Sequence, residues 1–167
     1  MNLLELEKVL LNNFKAPARV VVLGIGNALR SDDFVGVAIV QKLRERIQKE
    51  AILFIEAEIA PSEFFPEIQE WNPTHLLILD AADLKAKPGT FNVIAREQMA
   101  TFTLSSHKRA LTLLIDLLSH YLPNLKITIL GIQPASTEFN IDLNISQPIQ
   151  EAIQKLTELL TSVFSRL

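Results

Sequence analysis

The sequence predicts an α/β fold, a mostly parallel sheet covered by helices on both faces, and three observations carry that reading. Short aliphatic runs such as "VVVLGIG", "ILFIEA", "LLILDAA" and "ITILGI" recur along the 167 residues and alternate with amphipathic stretches, as strands joined by helical crossovers do. The runs are continuously apolar, which is how strands buried on both faces read. Hydrophobic residues make up 49% of the chain, yet no apolar stretch reaches the roughly 18 residues of a membrane span. That apolar mass therefore belongs to an internal core.

Each element has a local reason. The opening "MNLLELEKVLLNNFK" sets leucines among Glu5, Glu7 and Lys8 at helical spacing, so it is neither a signal core nor an anchor. "ARVVVLGIG" is the first strand. In "FVGVAIVQKLRERIQ", Val35, Ile39, Leu43 and Ile47 recur every fourth residue and predict a helix. "AILFIEAE" is a second strand, "SEFFPEIQEWNP" a short helix stopped by Asn72 and Pro73, and "THLLILDAAD" a third strand. "TFNVIA" follows the turn residues Lys87, Pro88 and Gly89 and predicts a short edge strand. "SSHKRALTLLIDLLSHYL" predicts a helix capped by its serines, with Leu111, Leu114, Ile115 and Leu118 on one face. "KITILGIQP" is a further strand, cut off by Pro134. The last helix, capped near Ser146, buries a stripe of Ile149, Ile153, Leu156, Leu160 and Val163.

Composition excludes several functions. The formal charge is -3 and no basic block stands out, which argues against a nucleic-acid partner held by phosphate contacts. The chain has no cysteine, so disulfides, thiolate ligands and cysteine nucleophiles are excluded and a cytoplasmic setting is expected. The length fits one domain over residues 1–167, with no repeat or linker, and such a domain buries roughly two thirds of its unfolded surface. No membrane insertion is expected.

Chemistry concentrates where strands end. In "GIGNALRSDDFVG", from Gly24 to Gly36, a strand-to-helix turn needs one capping oxygen, supplied by Ser31 or Asp32, which leaves a second carboxylate, Asp33, without a capping task. Asp80 ends the run "LLILD", where a carboxylate is costly unless it is bonded, paired or metal-bound. His107 lies in the serine-rich loop before a helix. Ligands of parallel sheets bind at the carboxyl ends of strands, so the three are expected to meet there. Two carboxylates and an imidazole with open positions suit an exchangeable divalent transition ion. Each has a plainer alternative: Asp33 as a favourable charge in a first helical turn, Asp80 as a loop fastener, His107 as a surface or capping residue. His75 and His120 read as structural. A dinucleotide fingerprint fails because Leu29 stands at its third glycine. No phosphate-binding glycine loop occurs, and Ser105 and Ser106 beside His107 lack a nucleophile-elbow pattern.

The blocks "GIGNALRSDDFVG", "LLILDAAD", "SSHK" and "GIQP" resemble, in order and spacing, the nickel-iron hydrogenase maturation endopeptidases, over nearly the whole chain from Val20 onward. The resemblance implies a three-layer αβα sandwich of the phosphorylase/hydrolase-like kind with a twisted mixed sheet. It implies removal of the C-terminal tail from a nickel-iron hydrogenase large-subunit precursor by a cytoplasmic monomer. It implies that Asp33, Asp80 and His107 meet the nickel, supplied with the precursor as a sign of completed insertion, although another divalent ion could substitute in the isolated protein. Asp33 or Asp80 could also act as base. Asn27 and Glu56 would contact the substrate. The stretches "APSEFF" and "GIQPASTEF" look more like the branch serving energy-converting hydrogenases. After Glu56 the family usually shows small residues, whereas Ala57 and Glu58 follow here.

Two other readings compete. Peptidyl-tRNA hydrolases also end their first strand in a GxGN block, but follow it differently and need a basic face. A non-catalytic, metal-sensing assembly chaperone would dock on the same partner without cutting it.

Overall fold

The computed structural model describes residues 1–15, 17–102 and 107–167, with the backbone alone at residue 100. Ser105 and Ser106, read above as helix caps and weighed as a nucleophile, lie outside the described residues.

The elements run α1 (Leu3–Asn13), β1 (Val20–Ile25), α2 (Val35–Arg46), β2 (Ile52–Glu58), α3 (Phe65–Trp71), β3 (His75–Ala81), β4 (Phe91–Ile94), α4 (Met99–Phe102), α5 (Lys108–Tyr121), β5 (Lys126–Ile132) and α6 (Gln147–Ser165). Asn2 and Glu5 form a reciprocal capping box that starts α1. Asn72, at φ 53°, ends α3 in the left-handed conformation.

Among the described residues, five strands form one sheet in the order β2-β1-β3-β5-β4. All neighbours are parallel except β4, which runs antiparallel to β5 at the edge. One face packs against α1, α2 and α6 through Leu10, Ile39, Leu43, Leu156 and Phe164, set on Val20, Val22, Leu77 and Leu79. The opposite face packs against α3 and α5 through Ile68, Leu111, Leu114 and Leu118, set on Val21, Leu23, Leu76 and Ile78. Helices thus cover both faces, and every apolar stripe expected on α2, α5 and α6 is buried. No described helix is long and apolar enough to cross a membrane.

Strand order reverses between β1 and β3: the crossover after β1 leads to β2 on one side, and β3 lies on the other. The carboxyl ends of β1 and β3 therefore flank a crevice, the usual ligand position of such sheets.

Two glycines bring α2 down onto that crevice. At Gly36 an added Cβ would lie 2.1 Å from the Leu79 carbonyl oxygen and 2.5 Å from that of Ile25, so the helix start touches both strand ends. Gly26 has φ 148°, and a Cβ there would lie 2.1 Å from the Asp33 carbonyl oxygen. The turn after β1 can fold back on its own strand only because both positions lack a side chain.

Neither Ser31 nor Asp32 caps α2: residues 31–34 form a 3-10 turn, Phe34 occupies the cap position, and no described side chain bonds the helix start. Ser146 does precede α6, but its hydroxyl is not bonded to that helix. Asp32 takes it instead.

Gly36→Ala is expected to cost about 1–3 kcal/mol, the usual penalty for forcing atoms into a filled interior. That corresponds to a fall in Tm of roughly 2–12 °C for a chain of this size. An unchanged thermal melt would show that α2 does not need this close approach.

Candidate active site at the sheet switch point

Asp33 sits in the 3-10 turn after β1, Asp80 is the penultimate residue of β3, and His107 occupies the cap position of α5. All are buried, at 1, 2 and 1% exposure respectively. Asp80 shares the parity of Leu76 and Ile78 along β3, which points it toward the α5 face.

The turn after β1 is built to hold Asp33. Asn27 accepts the Leu29 N–H at its side-chain carbonyl, 2.9 Å away, and so bends the chain. The Asn27 backbone N–H then donates to Asp33 Oδ2 at 2.9 Å. His107 Nε2 lies 2.8 Å from the same oxygen. A carboxylate can only accept, so Nε2 carries the proton and Nδ1 is the nitrogen whose protonation can change.

The electrostatics follow from burial and charge. Burial is the largest influence on His107 and works against its positive charge. The Asp33 hydrogen bond and the charges of Asp80 and Asp33 outweigh it and raise the imidazole pKa above 6.5. The Asp80 carboxyl is pushed up to about 7, chiefly by burial; the His107 charge opposes this and the Asp33 charge adds to it. At neutral pH the site therefore holds a bonded acid–imidazole pair beside a carboxyl able to keep or lose its proton.

Three buried polar atoms of this arrangement have no hydrogen-bond partner among the described residues: Asp33 Oδ1, Asp80 Oδ1 and His107 Nδ1. Two carboxylate oxygens and one imidazole nitrogen are donors suited to a divalent transition ion. Among the described residues, however, no three acidic or histidine side chains are spaced to close around an ion as they stand. The side chains would have to adjust for all three to become ligands.

The remaining expected site residues lie differently. Asn27 borders the site, and its side-chain carbonyl and backbone N–H are used in shaping the turn. Glu56 is not brought to the trio. It lies on β2 with the parity of Phe54, which packs toward the α1/α2/α6 layer, and its carboxylate is bonded to Arg44 and Gln41 of α2. Its neighbour Ala57 faces the other core. His75, read as structural, stands at the start of β3, bonded through Nδ1 to Thr74 Oγ1 at 2.7 Å and packed edge-on against Phe14. His120 packs edge-on against Tyr121.

Sequence reasoning missed Asp32. Its side chain is fully buried and accepts hydrogen bonds from Ala135 N, Ser136 N, Ser146 N and Ser146 Oγ at 2.7–3.2 Å. The doubled aspartate was the signal: one acid serves a distant loop, the other the histidine.

The chain is also similar to known proteins in sequence and fold. The family model described as hydrogenase maturation protease matches residues 37–163. The chain is 30% identical to the hydrogenase 3 maturation protease of Escherichia coli over 84% of its length and 87% of that protein. It is 31% identical to the hydrogenase 2 maturation protease of that organism, over 85% and 90% respectively. Its structure superposes with TM-score 0.81 on the crystal structure of a [NiFe] hydrogenase maturation protease from Thermococcus kodakarensis, at 25% identity over 94% of this chain and 99% of that one. The solution structure of an E. coli endopeptidase gives 0.74 at 30% identity, over 86% and 89%.

The raised pKa of Asp80 has a thermodynamic sign. Its folded value, about 7, exceeds its unfolded value of 3.8. The folded chain thus binds the proton more tightly, and the associated stability, complete below about pH 4, is lost as pH rises through 7. Asp80→Asn removes the ionisation and should stabilise the chain against urea at pH 8 by roughly 1–3 kcal/mol, with the gain closing near pH 4. A variant less stable than wild type at pH 8 would contradict the assigned burial cost.

Proposed function

The chain belongs to the hydrogenase maturation protease family, and from that premise we propose that it removes the C-terminal tail of a nickel-iron hydrogenase large-subunit precursor once nickel is in place. It is a hydrogenase maturation endopeptidase, and membership of this family displaces the tRNA-hydrolase alternative. The absence of cysteine fits work in the reducing cytoplasm.

The observation that carries the nickel reading is a set of buried atoms at one sheet end that have no partner among the described residues: Asp33 Oδ1, Asp80 Oδ1 and His107 Nδ1. An incomplete ligand set holds a free ion weakly, but it adds donors to an ion already half-held by another protein. Nickel here is part of the substrate. While its Nε2–H is committed to Asp33, His107 would offer Nδ1 and Asp33 would fix the ring's orientation as outer-shell carboxylates do; Asp33 Oδ1 joins the ligand set only when that bond opens. Precursor that lacks nickel would have little to bind at this point.

Hydrolysis needs a group to take the proton of the attacking water and a group to supply one to the departing amine. While Asp33 stays bonded to His107 it is not a ligand, and its two hydrogen bonds on Oδ2 leave Oδ1 to accept the proton. Asp80, pushed up to about 7, can carry the second proton at neutral pH and give it up. Desolvation of this buried crevice raises the effect of each charge.

A gel assay tests the proposal: nickel-loaded precursor should be shortened, and nickel-free precursor should stay whole. Cleavage of both alike would remove the nickel signal, and cleavage of neither would remove the activity. Asp33→Ala and His107→Ala should each lower kcat by about 100-fold or more, whereas near wild-type turnover would contradict their roles. Donation by His107 requires Nδ1 to lose its proton, and its pKa is raised above 6.5. Processing should therefore already decline as the pH falls through values above 6.5, and a flat profile between about pH 8 and 6 would count against His107.

A further inference from the structure

Hydrogen bonds stitch the turn carrying Asp33 to a distant segment, residues 135–146 between β5 and α6. Leu29 O accepts from Asn140 N at 2.8 Å, and Asp32 N donates to Ser136 O at 3.1 Å. Between them Arg30 Nε donates to Thr137 O at 3.0 Å and Ser31 Oγ to Glu138 O at 3.2 Å. The Asp32 carboxylate closes the seam, accepting from both ends of the segment: Ala135 and Ser136 at one, Ser146 at the other. Nothing in the hydrolytic chemistry uses this buried charge.

The clasped segment has an unusual surface. Phe139, Ile141 and Leu143 alternate with Asn140, Asp142 and Asn144, yet they are 70, 73 and 56% exposed. Leu29, on the other side of the seam, is 46% exposed. Leu143 holds φ 54°, a costly conformation for a side-chain-bearing residue. Exposed apolar residues scattered singly need no explanation, whereas three large ones within five residues of one short segment mark a partner's position. A cavity of about 390 Å³, lined by Ser31, Asp32, Ser136, Phe139, Asn144 and Ser146, opens in the same place. Both features adjoin the residue next to Asp33.

We propose that residues 135–146 are the element that reads the precursor, seating an apolar stretch of polypeptide beside the scissile bond on Phe139 and Ile141, and that Asp32 is the positioning residue that holds this element in register with Asp33. This rests on the processing reaction proposed above and adds to it where the precursor is read. The carboxylate matters because its donors approach both oxygens: Ser146 N reaches Oδ1, while Ala135 N, Ser136 N and Ser146 Oγ reach Oδ2. An asparagine has one accepting oxygen and would turn its NH2 toward one set of donors.

Three variants test it: Asp32→Asn, Ser146→Ala, and the double variant Phe139→Ser with Ile141→Ser. In the isolated chain, Asp32→Asn should speed amide exchange at Ala135, Ser136 and Ser146 about tenfold or more, with Ser146→Ala intermediate. With nickel-loaded precursor, Asp32→Asn and the double variant should raise KM about tenfold, the loss falling on KM where Asp33→Ala loses kcat. Unchanged exchange in Asp32→Asn overturns the positioning role. An unchanged KM in the double variant, whose exposed positions cost little folding stability, overturns the reading role while leaving the protease intact. If wild type cuts no precursor, the processing reading fails instead, and calorimetry decides: weaker precursor binding by the double variant supports the docking element, and equal binding overturns it.

Discussion

A 2.8 Å hydrogen bond between Asp33 and His107, each about 1% exposed, is the contact on which the rest of the site depends. It joins the turn after β1 to the start of α5, parts of the chain 74 residues apart. Its cost is that charges sit away from water, where each is tolerated only with a partner. Its effect is to fix the imidazole's proton on one nitrogen and to leave the other free. Asp80, on the strand between them, then feels both neighbours, and the same burial that raises its pKa makes it a group that can hold a proton near neutrality.

The sheet topology makes that bond possible. Strand order reverses between β1 and β3, so their carboxyl ends flank a crevice, and Gly26 and Gly36 let the turn and the start of α2 close on it. The two aspartates of the turn divide the work. Asp33 faces inward to the histidine, and Asp32 faces the segment before α6. Adjacent residues in a tight turn point in different directions, which is how one short stretch can serve two partners at once.

Most of this architecture was legible in the sequence because the continuous aliphatic runs are short, rich in Val and Ile and alternate with amphipathic stretches, the pattern of strands covered on both faces. Asp80 stood out for the same reason, as a charge at the end of such a run, and the doubled aspartate showed that the turn after β1 carried more than a cap. Three things were not legible. The assignment of Asp32 to a cap failed because its true partners, Ala135, Ser136 and Ser146, are more than a hundred residues away. The direction of Glu56 was not legible either: side-chain parity on β2 turns it to Arg44 and Gln41 of α2 rather than to the trio. Strand-end logic also could not say whether the three groups stand as a finished ligand set. The Asp33–His107 bond shows two of them engaged with each other instead.

The central claim, that these side chains add donors to an ion the precursor already holds, is tested most directly by nickel X-ray absorption of the loaded precursor, recorded alone and with one equivalent of the chain. The expected result is a gain of oxygen and nitrogen neighbours with an imidazole scattering signature, and loss of that signature with His107→Ala. A nickel shell unchanged by the wild-type chain, in a complex that still goes on to cleavage, would contradict it.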